Sequence, residues 1–268
     1  MTSEHAAQLF DDALADLAEI GGFSNMVSVE LQGSPTDRQG ELASMVHAKM
    51  CAHARSIGAI AQSPMFDHSA IVSLSRMIVE GLTMYAYLKQ PVSESLWALR
   101  ETVLKLHDTV ARITLFRAYR EKVDYQDLRD GRSELIRELE ASADFDEFPE
   151  DHRTSLRNGS VIFVGGMRRA AREAGWKEDR FTAMYGYLSA HVHGAPMSYF
   201  RTREHGVDYY APSEAQKAIA ATAITIATAC LRRASLRQVA EMNWRAHAVF
   251  AASVDDFIAD DAACDVFA

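Results

Sequence analysis

The stretch Ile71-Val-Ser-Leu-Ser-Arg76-Met-Ile-Val-Glu80-Gly-Leu-Thr-Met-Tyr85-Ala-Tyr87-Leu88 is apolar on nearly every face of the helix it would form. A helix that is hydrophobic all round has to be enclosed by other elements, so this one is expected at the centre of a helical bundle. The flanking sequence supplies the enclosing helices. Leu9, Ala13, Leu17 and Ile20 recur at helical spacing behind Thr2 and Ser3, and Gly21-Gly22 is the predicted stop, with residues 23–35 as a loop. Thr36 is predicted to open a second helix through Met45, Met50 and Ile57, and Pro64 interrupts before the third, expected from about Asp67 to Lys89 and closed by Pro91. Ser93 is the predicted cap of a fourth helix running to about Lys122, with Leu96, Leu99, Val103, Leu106, Val110, Ile113 and Leu115 inward. Further on, Phe181 to His193 reads as a helix ended by Gly194 and Pro196, and Pro212-Ser213 opens a last long helix to about Arg245. Within it, the 14 residues Ala218 to Leu231 are too short for a bilayer core of about 30 Å and read as a buried helix.

Only 14 Gly and 6 Pro in 268 residues leave too few turn formers for a many-stranded sandwich. The expected fold is therefore all-α, a multi-helix antiparallel bundle. Its predicted organisation is N-terminal helices over 1–63, a bundle core over 64–247, and an acidic, frayed tail over 248–268.

The charge pattern narrows the function classes. With 28 Lys plus Arg against 37 Asp plus Glu, the net charge of −9 argues against whole-surface attraction to nucleic acid and leaves room for a local basic patch. Residues 124–151 carry eleven acids and three arginines and read as a solvated helix and acidic loop. Residues 152–180 reverse the sign, centred on Arg168, Arg169 and Arg172. Inside that segment Ser160-Val-Ile-Phe-Val-Gly165-Gly166 reads either as a short strand and phosphate-cradling turn or as a plain turn, and no G-x-x-x-x-G-K-[ST] accompanies it. Cys51, Cys230 and Cys264 are odd in number and widely spaced, which fits a reducing compartment. Acidic residues near the start give no signal or transit peptide pattern, so a cytoplasmic location without membrane association is expected.

Two constellations carry chemistry. Arg76 and Glu80 are four residues apart, share a helix face, and stand in otherwise apolar surroundings, where an ion must be paired or coordinated. They form either an internal ion pair that fixes helix register or the lining of a cleft. The second is Tyr185-Gly-Tyr187-Leu-Ser189-Ala-His191-Val-His193-Gly194. On a helix Tyr185, Ser189 and His193 share one stripe, while Tyr187 and His191 share another about 200° away, so the two histidines face apart and do not chelate one metal. His193 reads either as a last-turn residue beside the glycine cap, favoured there by the helix dipole when protonated, or as a working imidazole that Ser189 orients. Weaker candidates are a Glu80, His107, Asp108 metal cluster and the His47 and Cys51 pair, read as a buried thiol beside a surface histidine.

Arg76-x-x-x-Glu80 with a trailing Tyr85-Ala-Tyr87-Leu, then Trp176 and Tyr187-Leu-Ser189-x-x-Val-His193-Gly194 about a hundred residues later, resembles an uncharacterised family of bacterial all-helical proteins, distantly similar to the HEPN helical-bundle proteins. Many HEPN proteins are metal-independent ribonucleases of toxin and phage-defence systems. The resemblance covers residues 66–200. It implies a HEPN-like core in which Arg76, Glu80, Ser189 and His193 line one site. Active HEPN ribonucleases carry an Arg four to six intervening residues before the His; neither His191 nor His193 has one, and Arg100 with His107 fits only as chance allows.

Cleavage of RNA through the 2′-OH needs a base, an acid and a cation for the phosphorane. In that reading His193 is acid or base, Arg76 the phosphate ligand, Glu80 its orienter, Ser189 or Tyr187 an auxiliary hydrogen-bonding group, and Arg168 and Arg169 bind RNA leading to His193. No metal or cofactor is required. RNA, a protein partner or a second copy in a homodimer are the expected associates. The alternatives left open are a non-catalytic helical binding or scaffold protein and a metal or small-ligand bundle.

Overall fold

A computed structural model describes residues 3–30, 37–119, 125–193, 196, 199–200, 212–241 and 251–267. It is all-α, 84% helical, and no strand occurs among the described residues. The helices are α1 (Ser3–Glu30), α2 (Arg38–Ala61), α3 (His68–Lys89), α4 (Glu94–Tyr119), α5 (Gln126–Ala141), α6 (Glu150–Arg157), α7 (Met167–Glu173), α8 (Glu178–Val192), α9 (Glu214–Glu241) and α10 (Ala251–Ala262). The chain divides into two compact units, residues 1–89 with 171–268, and residues 90–170.

In the first unit α3 is central, packed by α2, α8 and α9, while α1 lies on α2 and α9. Asp67 caps α3 by accepting from the backbone N–H groups of Ser69 and Ala70. Ile71, Val72, Ile78, Val79 and Leu82 are fully buried, each contributing about 2 kcal/mol of transfer free energy. Gly81 lets α2 come close, since a Cβ there would fall 2.5 Å from Cγ of the buried Met50. The second unit is smaller. α4, capped by Ser93 as expected, packs on α5 and on the 3-10 turn Ala143–Glu147 around Leu99, Val103, Leu106, Leu139, Phe145, Leu156 and Val164.

Several expectations are corrected. α1 does not stop at Gly21-Gly22; its buried stripe continues through Phe23, Ser24 and Val27, and that burial outweighs a glycine cost of about 1 kcal/mol per residue. Asp37 caps α2 by accepting from the Gly40 N–H, and Thr36 lies outside the described residues. Residues 160–166 form turns rather than a strand, so the phosphate-loop reading has no structural support. The long last helix is found as expected, as α9, but by length and composition it is long and apolar enough to cross a membrane although its 14 most apolar residues alone are too short; its Ala220, Ala223, Ile224, Ala227 and Leu231 are buried within the unit. The acidic tail expected to fray is instead α10 and a turn whose Phe257, Val266 and Phe267 are buried.

Candidate functional site

The two motif helices meet. α3 presents Arg76 and Glu80 one turn apart, and α8 presents Phe181, Tyr185, Ser189 and His193 at successive four-residue steps. Arg76 Nη1 donates to His193 Nε2 at 2.8 Å, and Nη2 donates to the Tyr185 hydroxyl at 2.8 Å. Nη2 also pairs with Glu80 Oε1 at 3.0 Å, and the Tyr185 hydroxyl donates to that same oxygen at 2.8 Å. The Arg76 guanidinium carbon lies 4.9 Å from the Tyr185 ring centroid, within cation–π range. His193 is the C-cap of α8, its backbone N–H donating to the Ser189 carbonyl.

The electrostatics follow from this geometry. Burial works against the Arg76 charge, but the Tyr185 hydrogen bond and the attraction of Glu80 outweigh it and hold the guanidinium pKa above its ordinary value. Burial and the hydrogen bond to Glu80 raise the Tyr185 phenol, against the pull of Arg76. A guanidinium has only donors, so His193 Nε2 must be the acceptor, which makes the imidazole neutral with its proton on Nδ1. The Arg76 side chain is 17% exposed and that of Glu80 39%, and His193 is exposed. One side of the cluster therefore faces solvent, and a ligand reaching it meets a cation, a carboxylate, a phenol and a neutral imidazole.

Of the residues singled out from sequence, Arg76, Glu80 and His193 come together. Ser189 does not join them, because its hydroxyl donates to the Tyr185 carbonyl within α8 at 2.6 Å, the usual outlet for a serine in a helix interior. It does not orient the imidazole. Tyr187 points elsewhere, with its ring 4.9 Å from that of His191, which in turn lies edge-on to His68 at 6.5 Å. Burial lowers the pKa of both histidines. The missing member is Tyr185, identifiable only as the first residue of the stripe that runs on to Ser189 and His193. Arg168 and Arg169 are exposed on α7 and belong to the other compact unit. Gly194 lies outside the described residues.

The metal readings find no matching geometry. Among the described residues no three His, Cys, Asp or Glu side chains converge to hold an ion. His107 Nδ1 meets the Gly159 carbonyl at 2.8 Å, and Asp108 pairs with Arg112. His47 is not a surface residue; it is fully buried, with Nε2 2.9 Å from Ser235 Oγ and Nδ1 4.0 Å from Cys51 Sγ. No protein-family model, curated protein or solved structure matches the chain, so the cluster itself carries what can be said of function.

Proposed function

We propose that the Arg76, Glu80, Tyr185 and His193 cluster is a metal-independent, RNA-directed site on a HEPN-like antiparallel helical core, in a cytoplasmic effector of the defence or toxin type. One observation supports this reading above the rest: Arg76 Nη1 stands 2.8 Å from an exposed, neutral His193 Nε2, although the two residues come from different helices. An anion-binding cation beside a proton acceptor is the pair that phosphodiester cleavage requires. A phosphodiester entering from the exposed side would take the Nη1 donor and release Nε2. That nitrogen would accept the 2′-hydroxyl proton as the 2′-oxygen attacks phosphorus, with Arg76 compensating the phosphorane charge. The imidazolium would return a proton to the 5′-oxygen as the P–O5′ bond breaks, leaving a 2′,3′-cyclic phosphate. Glu80 and Tyr185 hold the guanidinium in place throughout.

A second reading, a non-catalytic binding or scaffold bundle in which the cluster is a clasp between α3 and α8, is favoured by the occupancy of Arg76 Nη2, already held by both Tyr185 and Glu80. Incubation with mixed structured and single-stranded RNA in EDTA separates the two. Cleavage across part of the range from about pH 5 to 9, abolished by His193→Ala with a nearly unchanged melting curve, is the expected result. Intact RNA across the whole range would overturn the nuclease reading and leave the clasp.

A further inference from the structure

The aromatic stripe of α8 continues past the site into the far end of the chain. Tyr185 stacks on Phe181, centroids 5.3 Å apart and planes 19° from parallel. Phe181 meets Trp176 edge-on at 5.7 Å, and Trp176 meets Phe267 edge-on at 4.6 Å. All three outer rings are buried. Phe267 is fixed in turn from the other side, for the guanidinium carbon of Arg233 lies 3.3 Å from its ring centroid while Arg233 Nε donates to both carboxylate oxygens of Asp261 at 3.1 Å. Main chain reinforces side chain here: the backbone N–H of Lys177, the residue at the N-cap position of α8, donates to the Phe267 carbonyl at 3.2 Å. α10 is anchored separately, with Phe257 5.0 Å from Phe23 of α1.

We infer that the segment following α10 positions the Arg76–His193 pair, with Phe267 pinning the start of α8 and, through Trp176 and Phe181, setting where the Tyr185 ring lies under Arg76. Phe267, Trp176 and Phe181 touch no reacting group and act as positioning residues. The lever is direct. α8 is a single rigid helix that carries Tyr185 two turns beyond Phe267's main-chain contact and His193 at its other end. Core contacts between rings transmit small displacements because close-packed interiors have no slack to absorb them. Arg76 can meet both Tyr185 and His193 only while α8 keeps its register against α3.

The geometric part of this inference is independent of the RNA reading; only its activity arm rests on it. The test uses the full chain labelled with 15N, in which the histidine ring nitrogens report which one is protonated, with the His193 signals assigned by their loss in His193→Gln. At about pH 8, above the ordinary histidine range, the wild-type ring is expected to carry its proton on Nδ1. Phe267→Leu keeps apolar volume but removes the ring, and is expected to let His193 relax to the Nε2–H form that a free imidazole prefers, while Phe267→Tyr retains the wild-type signature. Arg233→Lys keeps the charge but removes the flat guanidinium over Phe267, so it is expected to move the tautomer the same way and decides the question if the Leu variant does not fold. A folded Leu variant with an unchanged Nδ1–H signature, or a wild-type ring already in the free mixture, would overturn the inference. If the wild type cleaves RNA, the Leu variant should lose on the order of tenfold in kcat with a smaller change in KM. If it does not, the RNA reading falls and the tautomer comparison still decides the positioning role.

Discussion

Arg76 engages three partners through two of its nitrogens, and Glu80 accepts from Arg76 and from one of those partners, Tyr185, through one oxygen. Removing Glu80 therefore takes away the counter-charge but leaves Arg76 hydrogen-bonded to Tyr185 and His193 and partly open to solvent. Glu80→Ala is expected to cost about 1 kcal/mol in urea unfolding, the range of a half-exposed pair with one hydrogen bond, rather than the roughly 3 to 5 kcal/mol of a sealed ion pair. A loss in the upper range would show that solvent does not reach the cluster and that Tyr185 and His193 do not compensate the Arg76 charge. Arg76 and Glu80 are legible in the sequence because two charges on an apolar helix demand an account. Tyr185 is legible only in part: its stripe can be read, but nothing in helical spacing says which phenol of the Tyr185 and Tyr187 pair turns toward α3. Ser189 misleads because a helical serine has a partner at hand in the carbonyl four residues back, and sequence does not say whether it takes it.

At the scale of elements, Gly21-Gly22 reads as a stop signal, and α1 shows what that reading omits. A glycine ends a helix when it takes up left-handed backbone, and it merely weakens one when the stripe behind it still has a core to enter. Gly22 stays helical with nothing within 4 Å of where a Cβ would sit. Gly22→Ala is accordingly expected to stabilise the protein by about 0.5 to 1 kcal/mol, visible as a raised thermal midpoint. Gly175 is the opposite case, with φ +99° and Arg233 Nη1 2.9 Å from the Cβ position, so Gly175→Ala should lower the midpoint. Equal effects of the two substitutions would contradict the distinction. α10 escapes the sequence for a related reason: its own pattern reads as an acidic tail, and only tertiary partners such as Phe23 and Trp176 reveal that Phe257 and Phe267 are core.

Over the whole molecule, the all-α class follows from one enclosed helix and a shortage of turn formers, whereas the split into two units does not, because packing between distant segments leaves no trace in local periodicity. The same long-range packing produces a pH dependence that composition does not suggest. Between α1, α2 and α9 the first unit buries His47 against Ser235, whose hydroxyl lies 2.7 Å from that of Ser24. Burial lowers the His47 pKa to about 4, and it lowers those of His68 and His191 as well. An unfolded chain takes up a proton at such a histidine near the ordinary value of about 6.5, while the folded chain does not until much lower pH. The stabilisation linked to neutral His47 is thus complete above about pH 6.5 and is lost as the pH falls toward about 4. Between about pH 7 and 5 this one group should remove about 2 kcal/mol of stability. His47→Gln, which keeps a hydrogen-bonding side chain beside Ser235 but cannot titrate, should flatten that slope by nearly one proton while His68 and His191 leave a residual decline. Urea unfolding of both proteins across that range measures it, and parallel pH profiles for the wild type and His47→Gln would show that His47 does not govern the acid sensitivity of this unit.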